Sequence, residues 1–180
     1  MRKFNLLVTT FRGQEVVASS EIRDLLNYLG DSSPEVEITK VSGLLTVKTS
    51  LDPFHVIERV GEILSTEPWR VGSLLRFIPI EDVVPSRIED IAESVEKLAS
   101  KIPEDASFRI TVEKRHTSLS SQEIIKASAE KVQRRVDLKN PDYIVLIEVI
   151  GGVTGISVLK PSQILSTTKF EKTAQKGSEQ

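Results

Sequence analysis

The sequence has no cysteine and only two histidines, His55 and His116. Disulfide scaffolds, thiolate metal sites and cysteine catalysis are excluded together, and little material remains for a zinc site or a histidine base. Aromatic residues are scarce: one Trp, two Tyr and six Phe in 180 residues. No apolar run approaches the ~20 residues that span a bilayer, so no membrane partner is expected. The start, Met1-Arg2-Lys3-Phe4, leads into an alternating segment rather than a signal peptide. There is no Asn-x-Ser/Thr sequon, and the chain reads as cytoplasmic. Neither charge sign is in excess. The formal net charge is −2, a total that argues against nucleic acid as a partner.

What is present is enough apolar material to fold. Apolar residues make up 39% and charged residues 28% of the chain. A chain of this length buries roughly 70% of its unfolded surface without help from disulfides or metals. The charge is also unevenly placed. Residues 81–106 hold 3 Lys/Arg against 8 Asp/Glu, and residues 107–139 hold 8 against 4. An acidic block therefore precedes a basic one, and that asymmetry is more informative than the total.

Apolar spacing gives the order of elements. Phe4 to Phe11 reads as a strand. Val17, Ala18, Ile22, Leu25, Leu26 and Leu29 recur at helical spacing, closed by Gly30. Val36 to Val41 and Leu44 to Thr49 are strands about the Ser42-Gly43 turn. Asp52-Pro53 is an N-cap with proline at the first helical position, and the helix it opens stops before Pro68. Val71 to Ile80 completes β-α-β-β-α-β, a ferredoxin-like arrangement.

Pro79, Pro85 and the acidic block mark a boundary. Ser86 and Glu89 predict a capping box before a helix that ends at Pro103. Phe108, Ile110 and Val112 alternate with polar residues as a half-exposed strand. Ser120 and Glu123 predict a second capping box and a helix to about Val136, with Lys126, Lys131, Arg134 and Arg135 on its outer side. Tyr143 to Ile150 is a nearly continuous apolar strand, turned at Gly151-Gly152 into Val153 to Leu159. The expected fold is α/β (α+β), with an N-terminal ferredoxin-like domain over 1–84 and a second small α/β domain over 85–161. A disordered polar tail is expected over 162–180.

Few groups could carry chemistry. Gly151 to Gly155 lies between strands and opens no helix, so it reads as a hairpin rather than a phosphate loop. Ser166-Thr167-Thr168-Lys169 matches Ser-x-x-Lys by chance, in a polar tail without a partner motif. Glu89, Glu93 and Glu96 alternate with Lys97 and Lys101 on an exposed helix face. His55 has no second metal ligand nearby. Lys114-Arg115-His116-Thr117-Ser118 is different. It gathers cations, hydroxyls and the start of a helix, the groups that hold phosphate oxygens. Arg70 and Arg76 could extend a basic surface. Base-stacking modules need exposed aromatics on strands, and Leu44 to Thr49 has none, so RRM-type stacking is not expected.

The stretch Phe108-Arg109-Ile110-Thr111-Val112-Glu113-Lys114-Arg115 resembles the first strand of a THUMP domain, which ends in a basic pair. Val136-Asp137-Leu138 with Pro141-Asp142, and Ile147-Glu148-Val149, are similar to the stretch that follows in that family. Arg-Phe-Ile-Pro-Ile at residues 76–80 looks like the subgroup that acts as adaptor for tRNA cytidine acetylation. That resemblance implies RNA binding, at the acceptor-stem region of tRNA. It also implies a separate RNA cytidine acetyltransferase as partner, which forms N4-acetylcytidine in the D-arm of leucine and serine tRNAs. The chain itself would be non-catalytic and would need no cofactor. Ile150 stands where thiouridine synthetases and THUMP-linked methyltransferases often carry arginine. The alternatives are an RNA-binding subunit for tRNA methylation or thiolation, and a protein–protein scaffold built on the acidic helix. Lys114 and Arg115 are the leading phosphate contacts, with Arg76, Arg109, His116, Lys126, Arg134 and Arg135 as further candidates. Reversing Lys114 and Arg115 to Glu is expected to weaken RNA binding with little change in thermal stability.

Overall fold

Strand β1 (Leu6–Thr10) sets the first core. It is followed by helix α1 (Glu15–Leu29), strands β2 (Glu35–Ile38) and β3 (Leu44–Lys48), helix α2 (Pro53–Thr66) and strand β4 (Leu74–Pro79). This is a computed structural model, and it describes residues 3–168. The antiparallel order is β4-β1-β3-β2, with Val8 opposite Leu45 on one side and Phe77 on the other. Leu6, Val8, Leu45, Val47 and Phe77 share one face and pack against Ala18, Ile22, Leu25, Val56 and Val60 of the two helices. Both helix ends expected from sequence are present. Asp52 accepts the Phe54 amide at 2.9 Å, and Gly30 closes α1 at φ 115°. The fourth strand begins three residues later than expected, because Pro68–Arg70 forms a single 3-10 turn ahead of it.

The second core is built by strand β5 (Asp82–Pro85), helix α3 (Ile88–Ala99), strand β6 (Ser107–Arg115), helix α4 (Ser121–Ala129), the two-residue strand β7 (Arg135–Val136), strand β8 (Tyr143–Ile150) and strand β9 (Val153–Leu159). The sheet order is β5-β9-β8-β6-β7. β6 runs parallel to β8 and β7, and β9 is antiparallel to β8 and β5. Val145, Ile147 and Val149 of β8 pack with Phe108, Ile91, Val95 and Ile124 under the two helices. Every residue of β8 from Ile144 to Ile150 is buried, as a central strand requires.

Four expectations are corrected. The 85 boundary falls earlier: the compact units divide between Pro79 and Ile80, because β5 pairs with β9 and belongs to the second unit. The polar segment from 162 is ordered in its first part. Strand β10 (Leu165–Ser166) pairs with β4, Leu165 packs on the first core, and Thr167 Oγ1 donates to the Leu74 and Leu75 carbonyls at 3.0 and 3.1 Å. The expected disorder over 169–180, and Lys169 of the Ser-x-x-Lys string, lie outside the described residues. The fourth helix ends at Ala129 rather than near Val136. Beyond it Val132 turns into the core while Arg135 and Val136 become an exposed edge strand. Finally, Ser86 does not cap α3. Its hydroxyl is 2.9 Å from Thr154 Oγ1, and Arg87 occupies the cap position without a side-chain acceptor.

Candidate nucleic-acid interface

Strand pairing places one row of residues across the end of the second sheet. Arg115 pairs with Ile150, Ile150 with Val153, and Val153 with Pro85. Four strands at the usual spacing make this row about 14 Å wide. Everything that leaves the sheet here leaves on the same side: His116 from β6, Gly151-Gly152 between β8 and β9, and Arg87 from β5. The N-termini of α3 and α4 follow directly, at Ile88 and Ser121. Parallel pairing of β6 with β8 is what brings them together, since each helix must return across the sheet.

Side chains then alternate across the strand. Phe108, Ile110 and Val112 face the helices. Lys114 shares their side, is exposed, and donates from Nζ to the Leu119 carbonyl at 2.9 Å. It thereby braces the loop that leads to α4. Thr117 Oγ1 accepts from the Leu119 amide at 3.2 Å, and Ser120 Oγ accepts from the Glu123 amide at 3.3 Å. His116 is exposed and adopts φ 56°, which for a residue with a side chain is uncommon. Gly151 takes the left-handed position of the adjacent turn at φ 57°, and its amide donates to the Arg115 carbonyl at 2.8 Å.

Arg115 points to the other face. Its Nη1 donates to Oε2 of Glu148, a carboxylate that is completely buried, while the arginine side chain remains 20% exposed. It is an anchored cation, not a free one.

The structure divides the sequence-expected site residues. Lys114, Arg115 and His116 share the sheet end just described. Arg109 lies six residues back along β6, about 20 Å away at the usual rise. Arg135 pairs with Ser107 at that far end. Arg109 donates to the Leu138 carbonyl at 3.1 Å. Arg134 is not on α4. Its Nε donates to the Ile102 and Pro103 carbonyls at 3.0 and 3.1 Å, so it fastens the chain after α3. Lys126 is exposed in the last turn of α4, and Lys131 faces Glu96 at 3.6 Å. Arg76 is half-buried on β4 of the first unit, between Thr9 and Ser166. Arg70 is stacked 3.8 Å over the Tyr28 ring and bonded to Glu67.

Sequence reasoning missed Arg87 and Glu148. Arg87 is exposed at the start of α3, at the same sheet end as Lys114, but it sits inside a block whose net charge is negative. Glu148 gave one legible sign: it is the only charged residue in an otherwise apolar strand.

Among the described residues, four carboxylates are held below their ordinary range by hydrogen bonding. For Asp31, burial pushes upward, but the Thr49 hydroxyl and the Ser33 and Ser50 amides outweigh it. Asp142 is lowered by the Ser107 amide and hydroxyl, Glu67 by Arg70 and Tyr28, and Glu15 by its own amide and that of Gly43. These are loop and helix-end fastenings, not the raised carboxyl a general acid needs.

Residues 85–159 match the family described as THUMP domain. THUMP domain-containing protein 1 of Bos taurus is 30% identical over a 115-residue alignment, which covers 59% of this chain and 31% of that protein. The Homo sapiens protein of the same name is 28% identical, covering 59% and 32%. The chain thus spans about a third of the length of the curated relatives it matches. Among solved structures, PH1313 from Pyrococcus horikoshii Ot3 superposes with a TM-score of 0.66 at 22% identity, over 86% of this chain and 54% of that one. A 4-thiouridine synthetase in complex with RNA and ATP gives 0.52 at 14% identity, over 88% and 42%. These likenesses extend to the fold. The family match over residues 85–159 runs from the end of β5 to the end of β9, and within it β6 ends in the basic pair Lys114-Arg115.

Proposed function

We propose that this chain is a non-catalytic tRNA-binding adaptor that presents tRNA to a separate cytidine acetyltransferase, the enzyme forming N4-acetylcytidine. The observation that carries the RNA-binding part is the THUMP domain match over residues 85–159, to an RNA-binding type of module, with Lys114, Arg115, His116 and Arg87 gathered at one end of the second sheet. Cations beside helix N-termini suit phosphate oxygens. The phosphate contacts on this reading are Lys114 first, then Arg115, His116 and Arg87. Lys126, Arg109 and Arg135 lie further along the same domain. The acceptor-stem region of tRNA is the proposed target. The first unit is read as ferredoxin-like, supported by its β4-β1-β3-β2 order with both helices on one face. No helix among the described residues is long and apolar enough to cross a membrane.

A second reading keeps the RNA binding and changes the enzyme served to one of methylation or thiolation. It draws on the fold neighbours, which include a possible methylase from Clostridium difficile 630 and the thiouridine synthetase. One experiment separates the two: nucleoside analysis of tRNA from cells lacking this protein. Loss of N4-acetylcytidine is expected. Retained N4-acetylcytidine with loss of a methylated or thiolated nucleoside would replace the first reading by the second. Failure of the purified chain to shift tRNA on a native gel at moderate salt would reject both.

A further inference from the structure

We propose that Glu148 is a positioning residue for RNA binding: from inside the sheet it fixes the Arg115 guanidinium at the sheet end, aimed at a phosphate. The inference rests on the RNA-binding reading above and concerns how that site is organised.

Glu148 is fully buried in β8, where the flanking residues Ile147 and Val149 are apolar and equally buried. A carboxylate is costly there unless paired, and a buried ion pair is a poor source of net stability compared with apolar residues of similar size. Folding alone does not call for it. Its position does explain something else. In the β6–β8 register Glu148 stands opposite Glu113, and Arg115 is two residues further along β6 on the same face. On the other side Glu148 faces Gly155, so no side chain from β9 crowds the carboxylate there. Arg115 reaches back to Glu148 through Nη1 and keeps part of its side chain at the surface.

An arginine has five N–H donors in a rigid planar fork. With Nη1 committed to a buried anchor, the direction of the remaining donors is set before any ligand arrives. Less rotamer freedom is then lost on binding. Lys114 next to it is the opposite kind of group, a point charge on an exposed flexible stem. Lys114 supplies attraction, and the Arg115–Glu148 pair supplies orientation.

The test turns on a sign. If Glu148 were an electrostatic bystander, removing its negative charge near a phosphate site would tighten RNA binding. If it positions Arg115, the same change loosens it, because a charge-assisted bond is roughly twice as strong as a neutral one. The full-length chain and its Glu148→Gln and Arg115→Lys variants are titrated with an unmodified tRNA transcript by fluorescence anisotropy at a matched series of salt concentrations. Thermal unfolding of each is recorded in parallel. We expect binding about fivefold weaker in Glu148→Gln. We expect a similar loss in Arg115→Lys, which keeps the charge but not the fork, with the slope of log affinity against log salt unchanged. Equal or tighter binding by Glu148→Gln, with wild type binding normally, overturns the positioning role and leaves the RNA reading intact. Should Glu148→Gln fail to fold, Arg115→Lys decides: wild-type affinity in that variant overturns the role. Absence of tRNA binding by the wild-type chain overturns the RNA reading, and this proposal with it.

Discussion

Replacing Arg115 by methionine should damage the fold, and replacing Lys114 by methionine should not. Both are basic residues at the end of one strand, yet their partners differ. Arg115 neutralises Glu148, which is completely buried. Removing one partner of a buried pair costs about 3–5 kcal/mol, because the other charge loses that partner's compensation. Arg115 is itself 20% exposed, so solvent screening brings the cost below that range, to about 2–3 kcal/mol. For a unit of this size each kcal/mol moves the unfolding midpoint by roughly 4–8 °C. The expected drop is therefore on the order of 10–20 °C for Arg115→Met. Lys114 is exposed and gives up one hydrogen bond to the Leu119 carbonyl, worth about 1 kcal/mol or less. The assay is thermal unfolding by circular dichroism on the two single variants and on Arg115→Met combined with Glu148→Leu. The combined variant should recover most of the loss, since apolar residues replace both charges. A single Arg115→Met variant that melts within about 2 °C of wild type, less than even 1 kcal/mol would produce, refutes the account of the pair. The same geometry revises the expectation from sequence that reversing both residues to Glu leaves stability unchanged. Arg115→Glu sets a second carboxylate against Glu148, so Lys114 is the residue on which RNA affinity can be tested without disturbing the fold.

Lys114→Ala should weaken tRNA binding and reduce the salt slope of log affinity by about 1, as expected for one lost phosphate contact; an unchanged slope in anisotropy titrations removes it from the interface. Asp31→Asn should flatten the acid side of the stability curve. Asp31 has a folded pKa below its unfolded value near ~3.9, so its contribution is present above that value and is lost as pH falls through the folded pKa. Denaturant unfolding at neutral pH and below ~pH 4 should show a destabilised variant at the first and a shrinking difference at the second. Thr167→Val should cost about 1–3 kcal/mol, since its hydroxyl satisfies two carbonyls of β4, and a chemical-denaturation midpoint equal to wild type would show that the β10 contact is not formed in solution. Ser120→Ala should cost about 1 kcal/mol by removing the α4 cap.

The parts of the fold that could be read from the sequence are those whose signal is local. The apolar spacing of α1 and α2, the Asp52-Pro53 start and the Gly30 stop are decided within one or two turns of chain. The order of the first unit follows from them. The parts that could not be read depend on distant partners. β5 is four residues long and exists because β9 pairs with it about seventy residues later. β10 is two residues in a polar stretch, and only the free edge of β4 makes it a strand. The end of α4 carries no glycine or proline. Val132 and Val136 even continue the helical spacing, but one turns into the core and the other joins an edge. In the same way Ser86 carries a cap signature and finds Thr154 instead.

The candidate site follows the same division. Lys114, Arg115 and His116 are contiguous, so their clustering was legible, whereas Arg87 reaches the same place only through the row Pro85–Val153–Ile150–Arg115. Composition counts Arg87 with the acidic block and Arg115 with the basic one. Structure alters both assignments. Arg87 is an exposed cation at the basic end, and Arg115 is paired with a buried anion. Arg109, Arg134 and Arg135, which enlarge the basic block in sequence, lie at the opposite end of the sheet, where Arg109 and Arg134 are bonded to backbone carbonyls. A count of eight cations in residues 107–139 therefore overstates the charge available at any one place. On the proposed reading, phosphate attraction at this sheet end rests on few groups, with Lys114 and Arg87 exposed and Arg115 directed by Glu148. For that reason single substitutions there should change RNA affinity measurably, whereas the same substitutions spread over a broad basic face would each be diluted.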